Sequence, residues 1–291
     1  MLLVIGTLMM QAAAGGIVAV GWLAAGSPST VYHALYNPWA LGAINLMALG
    51  LALVIGRRAT GEPVAKFYAL RAFPGSLLPA MVLTALGLAL LMNEVDNVIM
   101  EVLRLLPGFK AENEMARILT ADALGAFLLL VIVAPVTEEY LFRGLVLRGL
   151  LRHHRPVTAV LLTAVLFAIM HANLRQLPLA VVIGSVFGWW AVRTRSVAPG
   201  IIGHAVFNSV AYVSSQFPEQ FEAWGFGGES EHQAGWLTVG GAGAAALGCW
   251  WFQQRATRIL PAIPPIEQPP SAEDPPLLAA EAAPPPLLSE G

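Results

Sequence analysis

Along most of this chain apolar positions neither alternate nor form a narrow stripe; they run on for the better part of a helix and stop at short polar breaks. "GAFLLLVIV" is followed by "APVTEEYLFRG" and then by "LVLRGLL", and similar runs recur until about residue 252. A transmembrane helix needs about 20 mostly apolar residues. The runs at 4–25, 38–56, 75–93, 122–150, 157–174, 178–192, 198–216 and 234–252 predict about eight transmembrane helices. The expected fold class is therefore all-α, a polytopic membrane helical bundle. The first run carries no Lys or Arg and is too long for the core of a secretory signal, so it reads as an uncleaved first span.

Two stretches break the pattern. Residues 94–120 mix acids, bases and apolar residues, with Val95, Val98, Ile99, Val102 and Leu106 at helical spacing. They predict either an amphipathic helix on the outer interface or a loop helix packed on the bundle. From Pro261 the chain is Pro- and Ala-rich with scattered acids, which predicts a disordered C-terminal tail. "TVGGAGAAALG" offers small residues for close helix packing, and no strand or lysine accompanies its glycines as a phosphate loop would require. The organisation expected is N-terminal helices and an outer segment over 1–119, a central core over 120–215, a last loop and span over 216–258, and the tail over 259–291.

Composition agrees with the pattern and removes some functions. The 291 residues are 57% hydrophobic and only 12% charged, against roughly 25% charged in soluble domains. A net charge of −2 leaves no basic footprint, so nucleic acid is not an expected partner; the lipid bilayer is. A single cysteine, Cys249 in "GCWWF", excludes an internal disulfide and any multi-cysteine metal site, and reads as a lipid-facing or packing residue. Eleven Lys and Arg fall in the connections after the second, fourth, sixth and eighth spans, against four (Arg104, Lys110, Arg117, Arg175) in the opposite ones. That bias predicts both termini in the cytoplasm.

An ionisable side chain deep in a span costs about 2.5–3.5 kcal/mol on insertion scales and marks function by default. Few residues survive that filter: Glu138, Glu139 and Arg143 in the fourth span, His171 in the fifth, and His204 with Asn208 in the seventh. The turn between the fourth and fifth spans centres near His154 and Arg155, with Glu138 and His171 about equally far from it on either side. In an antiparallel hairpin equal counts mean equal depth, roughly 24 Å along each helix from the turn. His204 and Asn208, four apart, share one face somewhat shallower. Glu139 and Arg143 are also four apart and predict an ion pair that supports the helix. Glu138 points about 100° away from that pair and is the candidate general base, with His171 beside it, for activating water. His204 and Asn208 could then donate to an oxyanion. Taken singly, each histidine also reads as a satisfied core residue and the acids as a helix–helix ion network.

"EEYLFR" (138–143), "FAIMH" (167–171) and "HAVFN" (204–208) resemble, in order and spacing, the EExxxR, FxxxH and HxxxN motifs of the CPBP family, the CAAX proteases and bacteriocin-processing enzymes. The resemblance covers about residues 120–215. It implies an eight-helix intramembrane glutamic endopeptidase that uses activated water and no covalent nucleophile. By position it makes Glu138 the base, His171 its assistant, His204 and Asn208 the oxyanion holders, and Glu139, Arg143 and Phe167 supporting residues. No H-E-x-x-H string, GxSG serine or membrane aspartate pair is present for the other intramembrane protease classes. No metal is expected; the alternative is zinc on one Glu and two His, against which Asn208 stands where a ligand four residues after His204 would be. Substrates of relatives are prenylated C-terminal tails, bacteriocin leaders and C-terminal sorting signals. The Ala- and Pro-rich composition reads as bacterial, which makes a prenylated tail the least attractive of these and the bacterial inner (cell) membrane the expected location. The alternative function is a non-proteolytic membrane protein, an immunity factor or a proton-coupled carrier relaying protons through Glu138 and His171. The oligomeric state is not legible.

Overall fold

A computed structural model describes residues 36–60, 71–107, 114–171, 173–226 and 232–262. The expected first span and all but the start of the tail lie outside the described residues. Every regular element among those described is helical: α1 (Pro38–Thr60), α2 (Leu78–Arg104) after a 3-10 turn, α3 (Glu114–Ala121), α4 (Ala123–Leu150), α5 (Pro156–Met170), α6 (Leu177–Thr194), α7 (Ala198–Gln216), α8 (Pro218–Glu222) and α9 (Gly235–Ile259).

Proline sets most of the starts. Pro79, Pro156, Pro178, Pro199 and Pro218 occupy the first or second position of α2, α5, α6, α7 and α8, where the missing N–H would have had no partner anyway. The starts of α1 and α4 are capped by side chains: Asn37 accepts from the backbone of Trp39 and Ala40 at 2.9 and 3.2 Å, and Asp122 accepts from Gly125 N–H. Asp122 is thus a helix cap. α6 ends at Arg195, whose left-handed φ of 55° turns the chain sharply into α7.

α1, α2 with its leading turn, α4 and α6 are long and apolar enough to cross a membrane, and α5 is a shorter apolar helix. α7 and α9 have spanning length, 19 and 25 residues, but α7 is diluted by His204, Asn208 and serines and α9 by glycines. Among the described residues the two largest buried clusters sit at helix junctions. Leu77, Met81, Phe187, Trp190 and Phe252 are buried where α2, α6 and α9 meet, and Ala52, Phe142, Leu145, Phe167 and Ala180 where α1, α4, α5 and α6 meet.

Two expectations change. Residues 94–104 are not a separate helix on the interface; they continue α2, because Val95, Ile99 and Val102 extend its apolar periodicity without a break. Only Glu114–Ala121 forms the short helix α3, with Leu119 buried against Leu129 and Leu130. The fifth span is also shorter than expected. α5 ends at Met170, and His171 is its C-cap, with backbone N–H bonded to Ala168 and ring Nδ1 2.9 Å from the Phe167 carbonyl.

Candidate active site

α4 carries both glutamates and is irregular around them. Leu128–Val133 and Tyr140–Val146 are π-helical, flanking a six-residue α-helical piece, Ala134–Glu139. Wide turns of this kind are rare and recur at functional sites. They displace the hydrogen-bond ladder, and so decide which faces of one helix meet α1, α5 and α7.

Glu139 and Arg143 form the expected pair, Arg143 Nη1 lying 2.9 Å from Glu139 Oε1 with both side chains 0% exposed. Neither charge could be buried alone at tolerable cost. Arg143 also donates through Nη2 to the Gly184 carbonyl of α6 at 3.1 Å and lies 4.8 Å from the Phe167 ring centroid. Phe167 meets Phe142 edge-on at 5.2 Å, which fixes the register of the α4–α5 hairpin. Four residues farther from the hairpin bend lie Glu138, before Phe142, and His171, after Phe167.

The histidine that reaches the acids is nonetheless His204. Its Nδ1 is 3.1 Å from Glu139 Oε1 and its Nε2 is 4.0 Å from Glu138 Oε2. Between His171 and Glu138 there is no ion pair within 4 Å; His171 Nδ1 is held by the Phe167 carbonyl instead. A carbonyl can only accept, so that bond puts the His171 ring proton on Nδ1 and leaves Nε2 as the free nitrogen. The Glu139 carboxylate orients His204 in the same sense, with Nε2 turned toward Glu138. Phe167 stands between the two rings, 4.8 Å from His171 and 5.9 Å from His204. Asn208, one turn along α7, donates to the Leu130 carbonyl at 2.8 Å.

Glu138 is left partly open. Its side chain is 15% exposed, and its Oε2 is buried without a hydrogen-bond partner. It lines a small cleft between α1 and α4, about 10 Å³ and so roomy enough for about one water molecule, shared with Asn45, Ala48, Leu49, Ala52, Thr137 and Leu141. Among the described residues no three His, Cys, Asp or Glu side chains gather around a position for one metal ion.

Sequence reading missed three contributors. Gly200, one turn before His204, has no side chain because Glu139 Oε2 lies 2.3 Å from where a Cβ would be. The Gly184 carbonyl is a main-chain partner, which no side-chain pattern announces. On the rim, Arg175 in the α5–α6 connection donates through Nε to Asp96 of α2 at 2.6 Å, tying the loop beyond His171 to another helix. Gly200 alone left a signal, in the small-residue spacing of "GIIGH".

Residues 120–210 match the family model described as Type II CAAX prenyl endopeptidase Rce1-like. That stretch is similar to the family. Every candidate residue above lies within it. A protein of Bacillus subtilis (strain 168) named "Putative membrane peptidase YdiL" is 29% identical over 115 residues, covering 38% of this chain and 46% of that protein. The chain thus spans about half the length of the curated relative it matches. No solved structure matches the chain. Apolar helices of spanning length, together with the similarity over residues 120–210, mark this as an integral membrane protein.

Proposed function

We propose that this protein is an intramembrane, metal-independent endopeptidase. It hydrolyses a peptide bond in a membrane-associated protein or peptide, with Glu138 activating the attacking water. The observation that carries the reading is the unpartnered Glu138 Oε2, facing His204 Nε2 across 4.0 Å beside a small cleft. One water oxygen at hydrogen-bond distance from both atoms spans such a gap.

Glu138 takes a proton from that water as its oxygen attacks the scissile carbonyl carbon, and His171, through its free Nε2, accepts a hydrogen bond that orients the water. The tetrahedral oxyanion accepts from His204 Nε2–H and from the Asn208 amide. His204 donates there when Nδ1–H faces Glu139 and Nε2 also carries a hydrogen. Protonated Glu138 then returns its proton to the leaving amine as the C–N bond breaks. Glu139 and Arg143 hold His204 in place, and Phe167 separates the two imidazoles.

The Rce1-like family description names prenyl endopeptidases of CAAX tails. For this chain the substrate class is a C-terminal tail, sorting signal or leader of a membrane-anchored partner, cleaved at the cell membrane of a bacterium with both termini of the enzyme cytoplasmic. Comparing the membrane proteome of a deletion strain with its parent identifies segments left uncleaved. Complementation with Glu138→Ala, His171→Ala and Asn208→Ala, at matched protein levels, should fail in each case, by about 100-fold or more for an oxyanion donor. Full processing by all three variants would end the protease reading. Loss with Glu138→Ala and His171→Ala but not with Asn208→Ala would point to a proton relay. Activity of the purified chain should survive chelators; inhibition reversed by zinc would establish the zinc alternative.

A further inference from the structure

The Asn208 contact has an origin in the backbone of α4. In the wide-turn segment Leu128–Val133 the hydrogen bonds reach back five residues, and the amide of Ala134 is spent on the Leu129 carbonyl. In a regular α-helix that same amide would have served Leu130. The next donor in the five-residue pattern is residue 135, which is proline and has no N–H. The Leu130 carbonyl is therefore left without a backbone donor, in a buried stretch where an unpaired carbonyl is costly. The side-chain amide of Asn208, from α7, fills the vacancy at 2.8 Å.

We propose that Pro135 and the wide turn before it form a positioning device for Asn208: they keep the Leu130 carbonyl free, and that carbonyl orients the Asn208 carboxamide. An amide nitrogen carries two hydrogens in one plane. Committing one to Leu130 fixes the direction of the other, which points an otherwise rotatable group without occupying its whole donor capacity. Pro135 then acts through Asn208 and touches no reacting atom. The inference rests on the endopeptidase reading for its catalytic consequence, but not for the contact itself.

Two measurements test it on the full-length chain. In detergent micelles, a chain labelled with 15N-asparagine should give an Asn208 side-chain signal, assigned by its absence in Asn208→Ala, with one N–H downfield and protected from exchange. A pair of N–H resonances at free-carboxamide shifts, both exchanging rapidly with water, in the unmutated protein would overturn the contact without any variant. Pro135→Ala supplies the missing donor and lets α4 relax to a regular turn, so the protected resonance should be lost. On a quenched fluorogenic peptide carrying a lipid anchor, Pro135→Ala should lower kcat about tenfold or more with KM within about twofold, a fraction of the loss from deleting an oxyanion donor. Adding it to Asn208→Ala should lower kcat no further. Unchanged kcat, or multiplicative losses in the double variant, would overturn the positioning role. If the unmutated chain cleaves no peptide in this series, the endopeptidase reading fails while the resonance arm still decides whether Pro135 orients Asn208.

Discussion

The α2–α9 contact and the α4–α5–α7 contact join helices in opposite ways. Along α2 and α9 small residues bring backbones together: a Cβ on Gly87 would lie 2.3 Å from Ala245 N, one on Gly241 would meet Leu90 and the Gly87 carbonyl, and one on Gly248 would meet Thr84. No charge takes part in these approaches, and the attraction is close van der Waals contact between surfaces that lipid would solvate nearly as well. Around α4 the packing instead holds two carboxylates, a guanidinium and an imidazole, each dependent on one or two partners. The first contact is spread over many small terms. The second is concentrated in few large ones, so single changes there should be felt more strongly and should reach activity as well as stability.

The largest test of that contrast is Arg143→Leu. It strands Glu139 with His204 as its remaining ionic partner, and removing one member of a fully buried pair costs about 3–5 kcal/mol. Thermal denaturation in detergent should show a large loss, mostly restored by adding Glu139→Gln, while processing stays impaired. Gly200→Ala comes next. Its methyl would collide with Glu139 Oε2, and overpacking a closed site costs about 1–3 kcal/mol. Because that carboxylate holds His204, kcat should fall as well, and a variant with full activity would contradict the role given to Glu139.

Gly87→Ala should cost a similar amount by forcing α9 off α2, yet leave the kcat of the folded fraction within about twofold, since the site lies on other helices. Its control is Gly243→Ala on the same helix pair, where a Cβ meets nothing within 4 Å. There the expected effect is neutral or a gain of about 0.5–1 kcal/mol, the ordinary difference between Gly and Ala in a helix. The smallest effect belongs to Asp96→Asn on the rim. Partly exposed pairs contribute about 0–1 kcal/mol, so denaturation should barely move; a drop above about 2 kcal/mol would show that the Arg175 clasp holds the α5–α6 loop far more tightly than an exposed pair can.

Much of the architecture was legible because membrane helices declare themselves by length and apolarity. The hairpin bend at 151–155 and the Glu139–Arg143 pair, four residues apart, follow from counting residues along the chain. The close packing expected of "TVGGAGAAALG" is met by Gly241, Ala245 and Gly248. Counting fails where helices stop being regular or change partner. Residues 94–104 looked interfacial because polar residues interrupt them, yet backbone continuity carries them as part of α2. His171 and Glu138 are level as counted, but depth along two helices says nothing of the direction in which side chains turn. The Phe167 carbonyl holds one imidazole at the end of α5 while α7 delivers the other.

What the sequence by itself determined is which residues are too costly to bury without purpose: Glu138, Glu139, Arg143, His171, His204 and Asn208. That follows from solvation, a property of each side chain and the length of its span. Only the tertiary structure decided how they divide into partners. Glu139 lies between Arg143 and His204, Gly200 clears room for its carboxylate, and a proline after a wide turn frees a carbonyl for Asn208. Those choices depend on helix rotation and on which backbone groups are left unpaired, quantities that arise when helices pack and that no pattern along one strand of sequence contains.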